Sequence, residues 1–156
     1  MEELKKPEVF AMYYQNVYKD MYRFALYTLK NAHDAEDVVG ETVLDAYASV
    51  EKLRDPGAFR GWIFAILSNK CRKKLSEYCR KTSELPENLS DITDMEEGVL
   101  VREAFKRLKA DDRLLLSMHI FGGYKSYEIG QILGMNDNTV RSRVSRSLKK
   151  LRSFLE

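Results

Sequence analysis

The chain has 156 residues, 44% of them hydrophobic and 32% charged, which allows one ordinary domain or two small ones and excludes a wholly disordered polymer. No apolar run approaches the roughly 20 residues that a bilayer-crossing helix needs, and the opening MEELKKPEVF lacks the layout of a secretory signal, so a cytoplasmic protein without membrane insertion is expected. Its two cysteines, Cys71 and Cys79, have neither a CxxC partner nor a histidine cluster nearby, which argues against a disulfide framework or a structural zinc site and predicts inert thiols.

Glycine (8) and proline (3) are scarce and alternating strand patterns are nearly absent, so the predicted fold class is all-α. Pro7 suits a first helical turn. Behind it Phe10, Tyr13, Tyr14, Val17, Met21, Phe24 and Ala25 recur at three- and four-residue spacing, predicting an amphipathic helix to about Lys30. A second helix is expected over 34–50 with Asp34 as its N-cap, and the turn Arg54-Asp55-Pro56-Gly57 leads to a third over 58–80. The stretch TSELPENLSDITD reads as a linker. Beyond it, helices are predicted over 95–109, 111–121, 126–133 and 137–155. The expected architecture is two small helical domains, 1–81 and 95–156, joined by a flexible acidic linker at 82–94, the second domain ending in a helix-turn-helix.

The formal net charge of +2 conceals a segregation. Residues 31–50 hold Asp34, Glu36, Asp37, Glu41 and Asp45 and no lysine or arginine. Residues 51–81 carry a net +6 through Lys52, Arg54, Arg60, Lys70, Arg72, Lys73, Lys74, Arg80 and Lys81 against Glu51, Asp55 and Glu77. Residues 82–97 carry −6, and 138–155 hold six bases and no acid. Two basic segments separated by an acidic one suit two contacts with a polyanion, although solvated helix faces carry such runs equally well.

The sharpest local pattern is Ser126-Tyr-Glu-Ile-Gly-Gln-Ile-Leu-Gly-Met-Asn-Asp-Asn-Thr-Val140. Two closely crossing helices need a small residue on the first, which is Gly130, and a residue tolerant of positive φ in the turn, which is Gly134. Asn136 is expected to cap the second helix. There Val140, Val144, Leu148, Leu151 and Leu155 make an inward stripe, while Thr139, Arg141, Ser142, Ser145, Lys149 and Arg152 face out. The first residues of such a helix reach base edges and the later bases reach phosphates.

In the first half, Asp34, Asp37, Glu41 and Asp45 fall on one helical stripe. Like charges so spaced repel by a few tenths of a kcal/mol per pair, a cost that a basic partner surface would repay. Phe59, Gly61, Trp62 and Phe64 precede a basic helix bearing Asn69, Arg72, Lys73, Ser76 and Arg80, a composition suited to holding unstacked bases. Phe59, at the loop edge, is expected to be open to such a base, with Trp62 and Phe64 in the core. His33 and His119 are isolated, and no paired carboxylates, phosphate loop or metal spacing accompanies them, so no catalytic role and no cofactor are expected.

The run Asp34-Ala-Glu-Asp-Val-Val-Gly-Glu-Thr-Val-Leu-Asp-Ala-Tyr47 resembles the core-binding helix of region two in bacterial sigma factors. The run Phe59-Arg-Gly-Trp-Ile-Phe-Ala-Ile-Leu-Ser-Asn69 resembles their promoter-melting segment, and 126–152 their region-four helix-turn-helix. Order and spacing are similar to the extracytoplasmic-function (ECF) branch of the sigma-70 family. That resemblance implies a protein without catalytic activity that directs core RNA polymerase to promoters. It implies that Asp34, Asp37, Glu41 and Asp45 dock on core polymerase, chiefly the β′ coiled coil with further contact to the β subunit. It implies that Lys52, Arg54, Phe59 and Asn69 capture a flipped base of the −10 element while Arg72 and Lys73 hold the backbone. Thr139, Arg141, Ser142, Ser145, Arg146 and Lys149 would read the −35 element, the linker would thread toward the active-site channel, and an anti-sigma factor would clamp both domains. Gly40 departs from the glutamine usual before the core-binding glutamate. The alternative is a free-standing helix-turn-helix repressor or activator, which accounts for 126–155 alone.

Overall fold

The computed structural model describes residues 2–81 and 99–155. Among them are seven α-helices and no strands: α1 (Pro7–Leu29), α2 (Ala32–Ala48), α3 (Phe59–Lys81), α4 (Val99–Lys106), α5 (Ala110–Ile120), α6 (Ser126–Leu133) and α7 (Asp137–Leu155). The all-α expectation holds, and α6 and α7 have the predicted bounds. The expected acidic linker at 82–94 and the start of the helix expected from 95 lie outside the described residues.

Pro7 opens α1, where its missing N–H is no loss. The helix closes on Lys30 in the left-handed region, φ 59°, with its N–H donating to the Leu26 carbonyl. The chain re-enters a helix at once, and this moves the start of α2 two residues ahead of the prediction. Asn31, not Asp34, is the N-cap, its Oδ1 accepting from the Asp34 N–H at 2.8 Å. Asp55 and Pro56 form the turn before α3, Asp55 Oδ1 accepting from the Gly57 N–H at 3.0 Å.

Met21, Phe24, Val38, Val39, Phe64 and Leu67 are buried where α1, α2 and α3 meet, and Phe24 and Phe64 stack edge to face at 5.7 Å. Helices α4 to α7 wrap a second group that includes Leu115, Leu116, Met118, Ile129, Leu133, Val140 and Val144. The two groups do not stand apart. Helix α5 packs on α1 and α3, α6 also touches α3, and the apolar core is continuous through both groups. Tyr27 of α1 lies edge to face with Phe105 and Phe121, each at 5.0 Å. A linker composition says nothing of such a contact, because the aromatic rings that make it are scattered along the chain.

Candidate nucleic-acid interface

The helix-turn-helix depends on two glycines with different roles. A Cβ on Gly130 would lie 2.6 Å from the Met135 carbonyl oxygen, so only glycine lets the turn fold back this closely. Gly134 has φ +69° and ends α6 in the left-handed region. At its other end α6 begins with Glu128 Oε1 accepting from the Lys125 N–H at 2.8 Å. Asn136 Oδ1 accepts from the Asn138 N–H at 2.8 Å and caps α7 as expected.

Helix α7 then sorts its side chains. Val140, Val144 and Leu151 are buried and Leu148 is half-buried, while Leu155, expected inward, is exposed near the end of the helix. Thr139, Arg141, Ser142, Ser145, Arg146 and Lys149 are all exposed. Arg141 is steadied by Asp137 at 2.9 Å and by Asn138 Oδ1 at 3.0 Å, so its guanidinium is held near the N-terminal end of the helix. Arg143, two residues on, turns away and pairs with Asp112 at 3.0 Å. One face of α7 therefore presents hydroxyls and cations together, the mixture that base edges and phosphates require.

The acidic stripe of α2 is less uniform than its spacing suggests. Asp34 accepts the Tyr78 hydroxyl through Oδ2. Lys70 of α3 reaches Asp45 at 2.5 Å and Glu41 at 4.0 Å. The self-repulsion expected to need a partner is thus offset in part within the chain. Asp37 lies 3.4 Å from the His33 ring. Asp37, Glu41 and Asp45 remain exposed, and Leu44 stands 72% exposed among them. Sequence reasoning passed over Leu44, although its place three residues after Glu41 puts it on the same face.

The basic segment departs further. Phe59 is 3% exposed and cannot receive a base. Its ring meets Phe10 at 5.6 Å and Tyr13 at 5.4 Å, because the turn at 56–58 aims the first residue of α3 back at α1. Phe64 is core as expected, whereas Trp62 is half-buried. Lys52 and Arg54 are exposed and, with Trp62, line one wall of a crevice of about 590 Å³. Its other wall is Tyr124, Glu128, Gln131 and Ile132 of the second group. Asn69 is exposed, its amide donating to the Ala65 carbonyl at 3.2 Å, and Lys73 is exposed. Arg72 donates from Nη1 to the Leu133 carbonyl at 3.0 Å.

Three more residues join the two groups, and no local pattern signals them. Arg60 donates to the Phe121 carbonyl at 2.6 Å and pairs with Asp20 at 3.1 Å, its guanidinium 4.7 Å from the Phe64 ring. Tyr124 donates its hydroxyl to the Gly61 carbonyl at 2.5 Å. Arg113, 3% exposed, donates from Nε to the Thr28 carbonyl at 3.0 Å and from Nη1 to Leu108 at 2.7 Å. Burial pulls its guanidinium down to about 10, with Tyr78 and Asp111 opposing the shift. His119, read as structural, brings Nδ1 within 3.1 Å of the Tyr124 carbonyl. Cys71 is buried and its thiol is pushed up by burial, while Cys79 is exposed. Among the described residues no group of His, Cys, Asp and Glu is arranged to hold a metal ion, and no helix is long and apolar enough to cross a membrane.

Comparison with known proteins places both halves of the chain in one family. Residues 13–82 match the Sigma-70 region 2 family and residues 99–151 match Sigma-70, region 4. The RNA polymerase sigma factor SigV of Bacillus subtilis is 31% identical over 144 residues, covering 86% of this chain and 83% of its own length. The ECF RNA polymerase sigma factor SigE of Mycolicibacterium smegmatis is also 31% identical, over 86% of this chain and 57% of its own. The fold is that of the sigma factor RpoE crystallised with the anti-sigma factor NepR from Bartonella quintana. The TM-score is 0.72 at 22% identity, over 95% of this chain and 97% of the other. The chain belongs to the ECF branch of the sigma-70 family, the promoter-directing subunits of RNA polymerase.

Proposed function

We propose that the protein binds core RNA polymerase through α2 and directs it to promoters whose −35 element is read by α7 and whose −10 element is opened at α3. One observation carries the proposal. A single chain presents an open acidic face with an apolar residue at its centre and, separately, a helix face rich in bases and free of acids beyond its first turn. The acidic face matches a basic partner helix rather than DNA, and the basic one matches DNA rather than a protein of like charge.

On α2 the docking residues are Asp37, Glu41 and Asp45 around Leu44, the geometry of an apolar anchor with a charged rim. Asp34, committed to Tyr78, sets the end of that surface. The partner element is the β′ coiled coil, with further contact to the β subunit. On α7, Thr139, Arg141 and Ser142 face base edges and Ser145, Arg146 and Lys149 the phosphates. Lys52, Arg54 and Asn69 capture an extruded base beside Trp62, while Arg72 and Lys73 hold the strand. The pocket's gain offsets the few kcal/mol that extruding a base costs. Residues 1–81 and 95–156 act as the two modules, 82–94 as their tether, in the cytoplasm and without catalytic activity of their own. An anti-sigma factor is the expected antagonist, as in the neighbouring RpoE–NepR complex and the complex of CnrH with the cytosolic domain of CnrY.

A free-standing repressor would leave the region 2 match at 13–82 without a role. The test is transcription in vitro with purified core polymerase on fragmented genomic DNA, with start sites sequenced. The expected result is a small set of starts, absent without the protein, that share −35 and −10 elements. A protein that neither co-elutes with core enzyme at low ionic strength nor changes its start sites would overturn the proposal.

A further inference from the structure

Helix α3 touches the acidic stripe of α2 at both ends. Tyr78 donates its hydroxyl to Asp34, in the first turn of α2. Lys70, about two turns earlier on α3, sets its ammonium 2.5 Å from Asp45 and 4.0 Å from Glu41, toward the other end. The Lys70 side chain is only 23% exposed, against 60% for Asp45 and 64% for Glu41. Its stem is therefore held where α2 and α3 pack together, and its charge emerges at the edge of the open face that carries Leu44. By sequence Lys70 stands beside Arg72 and Lys73, the candidate strand ligands, but its contacts are with the acids.

We infer that Lys70 is a built-in counter-ion of the docking face, one that lowers its affinity for a basic partner helix and sets how steeply that affinity depends on salt. The inference rests on the docking role proposed above for α2. Asp37, Glu41 and Asp45 are the exposed acids of that face, and Lys70 cancels the charge of one of them, which weakens the field that draws a cation in. An incoming lysine or arginine must also take carboxylate oxygens that Lys70 already holds. The displaced ammonium cannot go far, because its stem is half-buried, and it then faces the newcomer as a like charge. An ammonium is a compact point charge without the bidentate geometry of a guanidinium, so a contact at the solvent edge is given up for the modest strength of an exposed pair. Ordering of the two carboxylates by Lys70 acts the other way and favours docking. It is the smaller effect: Asp45, the nearer partner, has a short side chain with little rotamer freedom to lose, and buried Val39, Thr42 and Ala46 already fix the helix that carries it.

The test compares the full chain with Lys70→Met, which keeps an unbranched stem and drops the charge, and with Lys70→Arg, which keeps the charge. Circular dichroism melts check that each variant folds. Association with purified core polymerase is followed by biolayer interferometry as ionic strength rises from about 0.1 M to about 0.5 M, over which the screening length falls from about 10 Å to about 4 Å. At the lower salt Lys70→Met should bind core roughly threefold to fivefold more tightly than the wild type, the weight of an exposed ion pair, with the gain in the association rate. That gain should shrink toward parity at the higher salt, and Lys70→Arg should follow the wild type throughout. Affinity for a fluorescent single-stranded oligonucleotide of mixed sequence should fall less in Lys70→Met than in Lys73→Met; the reverse order would make Lys70 a strand ligand and overturn the inference. A wild type that binds core while Lys70→Met binds no more tightly overturns the counter-ion and leaves α2 as the docking surface. An equal gain at both salts overturns it too, since the methionine side chain rather than the missing charge would then be the cause. A wild type that fails to bind core overturns the docking role itself, and the counter-ion falls with it.

Discussion

Two helical glycines, Gly40 and Gly130, should respond oppositely to the same substitution. Gly40 lies on the exposed side of α2, and a Cβ built there meets nothing within 4 Å. Gly40→Ala should stabilise the protein by about 0.5–1 kcal/mol, the ordinary difference between alanine and glycine in a helix. At Gly130 the same propensity gain is available, but the new carbon would sit 2.6 Å from the Met135 carbonyl oxygen and 3.7 Å from the Asp137 nitrogen. Those are backbone atoms of the turn that fixes α7 against α6, so no side chain can swing aside. Overpacking of this kind costs about 1–3 kcal/mol, and the rigid neighbour puts Gly130→Ala in the upper part of that range. The net loss should be about 1–2 kcal/mol. For a chain of this size, 1 kcal/mol moves the melting temperature by about 2–4 °C. Circular dichroism melts should therefore place Gly40→Ala a few degrees above the wild type and Gly130→Ala several degrees below it. If Gly130→Ala melts at or above the wild type, close approach of the turn to α6 is not what the glycine provides.

Three other outcomes are expected. Arg141→Ala should weaken binding to promoter duplex and lower promoter-specific transcription roughly ten- to a hundredfold, the range of about 1–3 kcal/mol for a base-reading arginine, with affinity for core polymerase unchanged; equal loss of both would contradict the division of labour. Asp37→Lys with Glu41→Lys should abolish co-elution with core enzyme while helical content and duplex binding are retained, since like charges across an interface cost several kcal/mol. Alkali should unfold the protein cooperatively. Burial raises Tyr78, Tyr124 and Cys71, and lifts Tyr14 to about 12 from its ordinary 10.0. A group whose folded-state value is raised contributes stability that is complete below its unfolded value and lost as pH climbs through the folded one. Melting temperature should thus hold up to about pH 9, near the ordinary cysteine value of 9.0, and fall above it. The tyrosinate absorbance of Tyr14, Tyr78 and Tyr124 should then appear together with loss of helical signal; ionisation of those three near pH 10 with the helices intact would refute the assignment.

What the sequence reveals and what it hides divide along a physical line. Helix periodicity, the Gly130–Gly134–Asn136 turn and the outward face of α7 are legible because each is set by residues within a few positions of one another. All six candidate −35 residues lie exposed for that reason. Phe59 was misplaced because an aromatic at a loop edge looks open until α1 is brought across it, and Phe10 and Tyr13 are far away in the chain. Lys70 is equally invisible in advance. It belongs to the basic segment by sequence and to the acidic stripe by contact. Arg113 sits one residue before Leu114, Leu115 and Leu116, where a charge suggests a solvated edge, yet it is buried because the end of α1 supplies a carbonyl for it.

The segregated charge takes on a different meaning once those contacts are placed. Helix α3 carries the whole net positive charge of its segment, and its cations divide: Lys70 faces the acids of α2, Arg60 and Arg72 the carbonyl ends of α5 and α6, Lys74 pairs with Glu77, and Lys73 is exposed. A cation already paired contributes less to a new anion, because the old partner must be given up and the desolvated groups it leaves must be satisfied again. Under the proposed function, the affinity of α3 for a strand is set by what Arg72 relinquishes as well as by what it gains. On α7 the bonds of Arg141 are local to its first turns and Arg143 is committed to Asp112, so under the proposed function the exposed Arg146 and Lys149 meet duplex DNA directly, with an affinity that falls with salt in proportion to the phosphates neutralised. The two basic surfaces thus differ in kind. On one the exposed bases face solvent, and on the other Lys70, Arg60 and Arg72 are engaged by neighbouring helices.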